Sequence, residues 1–139
     1  MQSDIGSLLH RVSAALDKIS DQVLLERLGI GLSQFRILLC LLGSDGIRQN
    51  VISESLDQSE PSVSRQVKIL QQKGLAVVRR NVSNRRDRLI FLTQKGAKTA
   101  ERAVEILNEY HSPMFERISQ KDQEQLITTL KNINDYLDD

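Results

Sequence analysis

The chain has 139 residues, 40% of them hydrophobic and 27% charged, and a formal net charge of +1. That fits a single globular domain with a real core and argues against a disordered chain. No apolar run approaches the roughly 20 residues of a membrane span, the start lacks the basic cap and apolar core of a secretory leader, and the single Cys40 excludes an internal disulfide and fits a reducing cytoplasm.

Apolar residues at Ile5, Leu8, Leu9, Val12, Leu16, Ile19 and Val23 recur at three-and-four spacing. This predicts a first helix with one apolar stripe, broken after Leu28 by Gly29 and Gly31. Ser33 is the expected cap of a second helix, Gln34 to Leu42, apolar nearly all round and so expected to be central. The run Gly43-Ser44-Asp45-Gly46 reads as a turn. A short helix follows, about Gln49 to Leu56, with Val51, Ile52 and Leu56 on its apolar side. Asp57-Gln58-Ser59-Glu60-Pro61 stops it and starts the next, with Ser59 as N-cap, Glu60 suited to the positive helix start and Pro61 tolerated in the first turn. That fourth helix is expected to run to Lys73 and end at Gly74.

The period then changes. Leu75 to Arg79 and Leu89 to Leu92 are rich in strand formers, and the polar stretch Asn81 to Arg88 between them reads as the tip of a long β-hairpin. Thr93 is expected to cap a helix from Gln94 to about Tyr110, with a restart at Ser112-Pro113. Ser119 and Asp122 resemble a capping box, and the last helix carries a stripe at Leu126, Leu130, Ile133 and Leu137.

Charge is unevenly placed. Ser44–Leu92 holds nine basic and five acidic residues, a net of +4, and Pro113–Asp139 holds three basic and six acidic, a net of −3. A basic middle suggests a surface for a polyanion. The order helix, turn, helix, hairpin is that of a winged helix-turn-helix, whose second helix enters the DNA major groove. Val63, Val67 and Leu70 fall on one arc and should anchor that helix to the core, leaving Pro61, Ser62, Arg65 and Ile69 on the other side. Arg65 is long enough to reach a guanine edge or a phosphate. Arg79, Arg80, Arg85, Arg86 and Arg88 crowd the hairpin, where an arginine at the tip can enter a minor groove. Neither feature alone excludes a plain solvated face; their succession favours DNA.

The stretch Leu32–Glu101 resembles the MarR family of bacterial regulators, its SlyA branch in particular. The likeness rests on Ser33-Gln34-Phe35-Arg36-Ile37-Leu38, on Ser62 to Leu70 leading into Lys73-Gly74-Leu75, and on Arg85-Arg86 followed by Leu92-Thr93-Gln94-Lys95-Gly96. The resemblance implies a mainly helical winged-helix fold (α+β) in one domain over residues 1–139, with a DNA-binding lobe at 32–99 and dimerisation helices at 1–28 and 100–139. It implies a homodimer that binds double-stranded DNA as a repressor. The expected DNA-binding set is Ser59, Pro61, Ser62, Arg65 and Gln66 on the helix and Arg85 and Arg86 on the wing. The stripes of the first and last helices could be buried within one domain, but the middle elements already supply a core, so self-association is expected, with Leu8, Val12, Leu16, Leu126, Leu130, Ile133 and Leu137 as the dimer contacts. A small anionic aromatic effector is implied where the dimer helices meet the lobes; no cofactor, metal or membrane partner is expected. Two departures stand out. The family's Asp two residues before the wing arginine is Asn84 here, so either Asp87 substitutes or the wing is looser. Asp57 occupies a turn position where Gly is common, and Asp tolerates the left-handed conformation.

Cys40, inside Leu38-Leu39-Cys40-Leu41-Leu42, is expected to be buried and inert. No Ser-His-Asp set, phosphate loop or nucleophile elbow is present, and His10 and His111 lack ligand spacing. The competing readings are a winged helix that binds protein, for which Arg65, Arg85 and Arg86 are dispensable toward DNA, and a redox or ligand sensor with secondary DNA binding, for which Cys40 reacts fast.

Overall fold

The structure, a computed structural model, describes residues 4–80, 83 and 87–139. Two compact units divide the chain, Met1–Ile106 and Leu107–Asp139. In order, the elements are α1 (Ile5–Leu28), α2 (Leu32–Leu41), β1 (Ile47–Arg48), α3 (Gln49–Ser55), α4 (Glu60–Gln72), β2 (Ala76–Arg80), β3 (Arg88–Leu92), α5 (Gln94–Phe115) and α6 (Gln120–Asp138). The mainly helical fold with a small antiparallel sheet is the one expected.

In the first unit, α1 begins at an unforeseen cap. Asp4 accepts hydrogen bonds from the Ser7 amide and hydroxyl at 2.7 and 2.8 Å, and these hold its carboxyl below its ordinary range. The helix ends at Gly29, whose φ of 68° is the left-handed conformation that suits a helix stop. Ser33 does not cap α2. The helix starts one residue before it, at Leu32, and the half-buried Leu32 amide donates to the Asp21 carboxylate of α1 at 2.8 Å. A cap supplied from eleven residues upstream leaves no mark in the local sequence. Nor is α2 covered all round. Phe35, Ile37, Leu38 and Leu41 are buried, whereas Leu39 is 45% exposed and Cys40 only half-buried, its sulfur 3.9 Å from the Ser55 hydroxyl. The expectation of a hidden Cys40 therefore fails: the helix packs against α1, α4 and β3 and turns its remaining side outward.

The core of this unit joins Leu24 and Ile30 to the inner faces of α2, α3, α4 and β3, and to Ala100, Ala103 and Ile106 of α5. The sheet has three strands in the order β1-β3-β2, all antiparallel. β1 is an addition to the expected hairpin. Two residues are too short to show alternation, and only the pairing of Ile47 with Ile90 and Arg48 with Leu89 reveals them. Gly46 before it must be glycine: its φ is 103°, and a Cβ there would lie 2.5 Å from the Phe91 ring.

α5 continues through Pro113 to Phe115 and does not restart at Ser112-Pro113. Proline deletes one helical hydrogen bond, and here it falls in the last turn, where the helix has little left to lose. In the second unit Ser119 caps α6 as expected, accepting from the Asp122 amide at 3.1 Å. No residue of α6 is buried. No helix among the described residues is long and apolar enough to cross a membrane.

Candidate nucleic-acid interface

The turn between α3 and α4 sets the entry of α4. Asp57 adopts φ 52°, the left-handed geometry anticipated for it. The Gln58 amide returns to the Ser53 carbonyl at 3.0 Å, and the Ser59 hydroxyl accepts from the Ser62 amide at 3.2 Å. Pro61 sits in the first turn, where its missing N–H is not needed. On α4, Val63, Val67 and Leu70 are 0–2% exposed, as their spacing required. Arg65 is exposed, and Ser59 and Pro61 are exposed beside it at the helix start. This end carries backbone amides and a positive dipole outward, which favours a phosphate.

Gln66 differs from its neighbours. It is half-buried and turned toward α2, its side-chain oxygen accepting from the Gln34 amide at 3.3 Å. The Gln34 oxygen accepts in turn from the Lys73 ammonium at 3.1 Å, and Lys73 also donates to the Gly29 carbonyl at 2.5 Å. Lys95 donates to the Lys73 carbonyl at 3.0 Å. One lysine thus ties the end of α1, the start of α2 and the end of α4. The sequence placed Lys73 before a helix stop and in the Lys73-Gly74-Leu75 run, with no sign of these ties.

The hairpin lies beside α4. Strand alternation puts Ala76, Val78 and Arg80 on the sheet face toward the core, and Val77 and Arg79 on the other. Arg79 is spent on packing, its guanidinium 5.3 Å from the Phe91 ring centroid. Asp87 is paired with Arg48 of β1 at 3.8 Å. That pairing, unforeseen because β1 was, ties the root of the wing to the third strand. Asn84, Arg85 and Arg86 lie outside the described residues, so Asp87 is placed toward Arg48 and its expected role toward the wing arginine falls outside them too. Between α4 and the wing runs an open groove lined by Gln49, Asn50, Glu60, Pro61, Ser64, Asp87 and Arg88.

A helix-turn-helix with an exposed arginine, a capped and positive helix start and an adjoining basic hairpin defines a winged-helix protein of the nucleic-acid-binding class. The model of the MarR family matches residues 28–87. YwoH of Bacillus subtilis (strain 168), an uncharacterized HTH-type transcriptional regulator, is 30% identical over 96 residues, covering 68% of this chain and 69% of that one. The HTH-type transcriptional regulator BilQ of Clostridium symbiosum is 26% identical over 109 residues, 78% of this chain and 76% of its own. Among solved structures, the Staphylococcus aureus MepR–DNA complex superimposes with a TM-score of 0.79 at 26% identity, over 97% of this chain and 99% of that one. The chain belongs to the MarR family of transcriptional regulators. These relatives support the family and do not single out its SlyA branch.

Proposed function

We propose that the protein is a sequence-specific DNA-binding repressor that acts as a homodimer on a pseudo-palindromic operator. The observation that carries this reading is α4 itself: one arc of valine and leucine locked in the core, the opposite arc offering Arg65 at a helix start beside a basic wing. The MepR–DNA complex, alike over nearly the whole chain, supports it. In this reading Pro61, Ser62 and Arg65 face the major groove, Ser59 holds the helix start, and Arg85 and Arg86 reach the minor groove or the backbone. Gln66 contributes once it turns from Gln34. Residues 32–99 form the DNA-binding lobe.

The helices at 1–28 and 100–139 serve dimerisation. Their apolar stripes are largely exposed: Leu8, Val12, Leu126, Leu130 and Leu137 are 41, 52, 43, 41 and 72% exposed, while Leu16 and Ile133 are half-buried. A second copy covers such stripes, and two half-sites then turn two weak contacts into one strong one. A small aromatic effector, implied by the family resemblance, acts by its different affinity for two spacings of the lobes.

Selection from a random duplex library tests this. An inverted repeat with half-sites about 10 base pairs apart, or a multiple of that, is expected. A single unrepeated half-site contradicts the homodimer, and absence of any enriched sequence contradicts the sequence-specific reading.

A further inference from the structure

Arg80 and Arg88 are direct partners across β2 and β3. They stand on the same sheet face as Val78 and Ile90, and Ile90 is fully buried, so the arginine pair continues the core face one step past the edge of the core. Like charges directly opposite on a sheet repel. Nothing among the described residues neutralises them: neither arginine, nor Lys68 of α4, has a carboxylate within ion-pair distance. These three cations line one groove of about 330 Å³ between α4 and the hairpin, together with the neutral polar side chains of Gln49, Ser64 and Gln71. The acidic residues of the adjoining groove are Glu60, in the first turn of α4, and Asp87, already paired with Arg48. The other arginines described near the wing are engaged, Arg79 on Phe91 and Arg48 on Asp87. Among the described residues of the wing, only this pair is set against itself.

We propose that Arg80, Arg88 and Lys68 clamp a phosphodiester group of the DNA strand that passes between recognition helix and wing. The proposal rests on the DNA-binding reading above and adds residues which that reading did not assign. Its geometry follows from the fold. A helix in the major groove and a hairpin in the adjacent minor groove straddle one sugar–phosphate strand, so the floor between them faces phosphates. Guanidinium groups suit that task because they hold phosphate oxygens in a fixed, two-pronged geometry. The clamp carries no sequence information. It sets how deep α4 sits, and therefore how well Arg65 reaches the bases.

The test compares the full-length protein with Arg80→Gln, Arg88→Gln and the double variant, with Arg79→Gln as control. Affinity for a mixed-sequence duplex is measured between about 50 and 200 mM salt, and each free protein is melted. The slope of log K against log salt is expected to lose about 0.9 for each phosphate whose neutralisation is lost, once per protomer, so it flattens most in the double variant and changes little in Arg79→Gln. Melting temperatures of the clamp variants are expected at or above wild type, because a repulsion is removed; a merely structural role predicts a fall. A steep wild-type slope retained in the double variant, or a lowered melting temperature, overturns the clamp and leaves DNA binding standing. A wild-type slope near zero overturns the DNA reading and the clamp with it.

Discussion

Arg65 projects from α4 with no ion pair among the described residues, so its truncation removes little packing. Arg65→Ala is expected to leave thermal stability within about 0.5 kcal/mol of wild type and to lower discrimination at one base-pair position by about 1–3 kcal/mol. Melting curves and binding to single-position operator variants check the two halves. Gly96 is the opposite case, with no role at the surface and a strict one inside. It is buried in the first turn of α5, where a Cβ would collide with the Leu75 carbonyl. Gly96→Ala should destabilise by about 3 kcal/mol, read as a lowered midpoint in urea. The sequence shows this glycine within a recognisable run. The reason for it is a backbone 21 residues away, which no local pattern reveals. Arg65 and the Val63-Val67-Leu70 arc were legible because helical period alone separates their faces. Cys40 misled because an apolar run implies burial only when every side of the helix is covered.

At the level of elements, the bounds of α2, α3 and α4 were legible to within about two residues and the end of α5 was not, and three of the errors share a cause. The Asp21 cap on α2, the β1 strand and the turned-in Gln66 each depend on a partner distant in the chain. Pro113 misled for a different reason: proline was read as a boundary, but in the last turn of α5 its lost hydrogen bond matters little. Lys73 offers the clearest test of non-local design. Its ammonium reaches Gly29 and Gln34 while its carbonyl receives Lys95, so three segments meet on one residue. Hydrogen bonds from a charged donor to neutral acceptors contribute more than neutral ones, and partial exposure reduces that here. Lys73→Met, which keeps the aliphatic stem, should cost about 1–2 kcal/mol in denaturant unfolding. It should also speed amide exchange in the Gly29–Leu32 turn. Unchanged exchange in that turn would mean that Lys73 does not hold it.

For the molecule as a whole, the opposite charges of the middle and the C-terminal end were readable from composition, and so were the two unpaired stripes. What covers those stripes was not, since a helical period marks a face without naming its partner. α6 buries none of its residues, yet Leu126, Ile127 and Leu130 remain 43, 53 and 41% exposed. A face of that kind is expected to close on a second copy. Sedimentation at micromolar concentration should give a dimer, with a melting temperature that rises with protein concentration. Leu126→Glu with Leu130→Glu should sediment as a monomer and weaken DNA binding more than any single contact can, because avidity is lost. A wild-type monomer at those concentrations would remove the homodimer from the picture.

The most direct test is the ratio of affinities for the selected inverted repeat and for a mixed-sequence duplex at about 0.15 M salt, in wild type, Arg65→Ala and Arg86→Ala. Specific binders prefer their sites by about 10³-fold or more. Such a ratio is expected in wild type, with a marked fall in both variants while their non-specific affinity changes only modestly. A ratio near one in wild type, or a ratio untouched by either substitution, would contradict a winged helix that reads sequence through α4 and its wing.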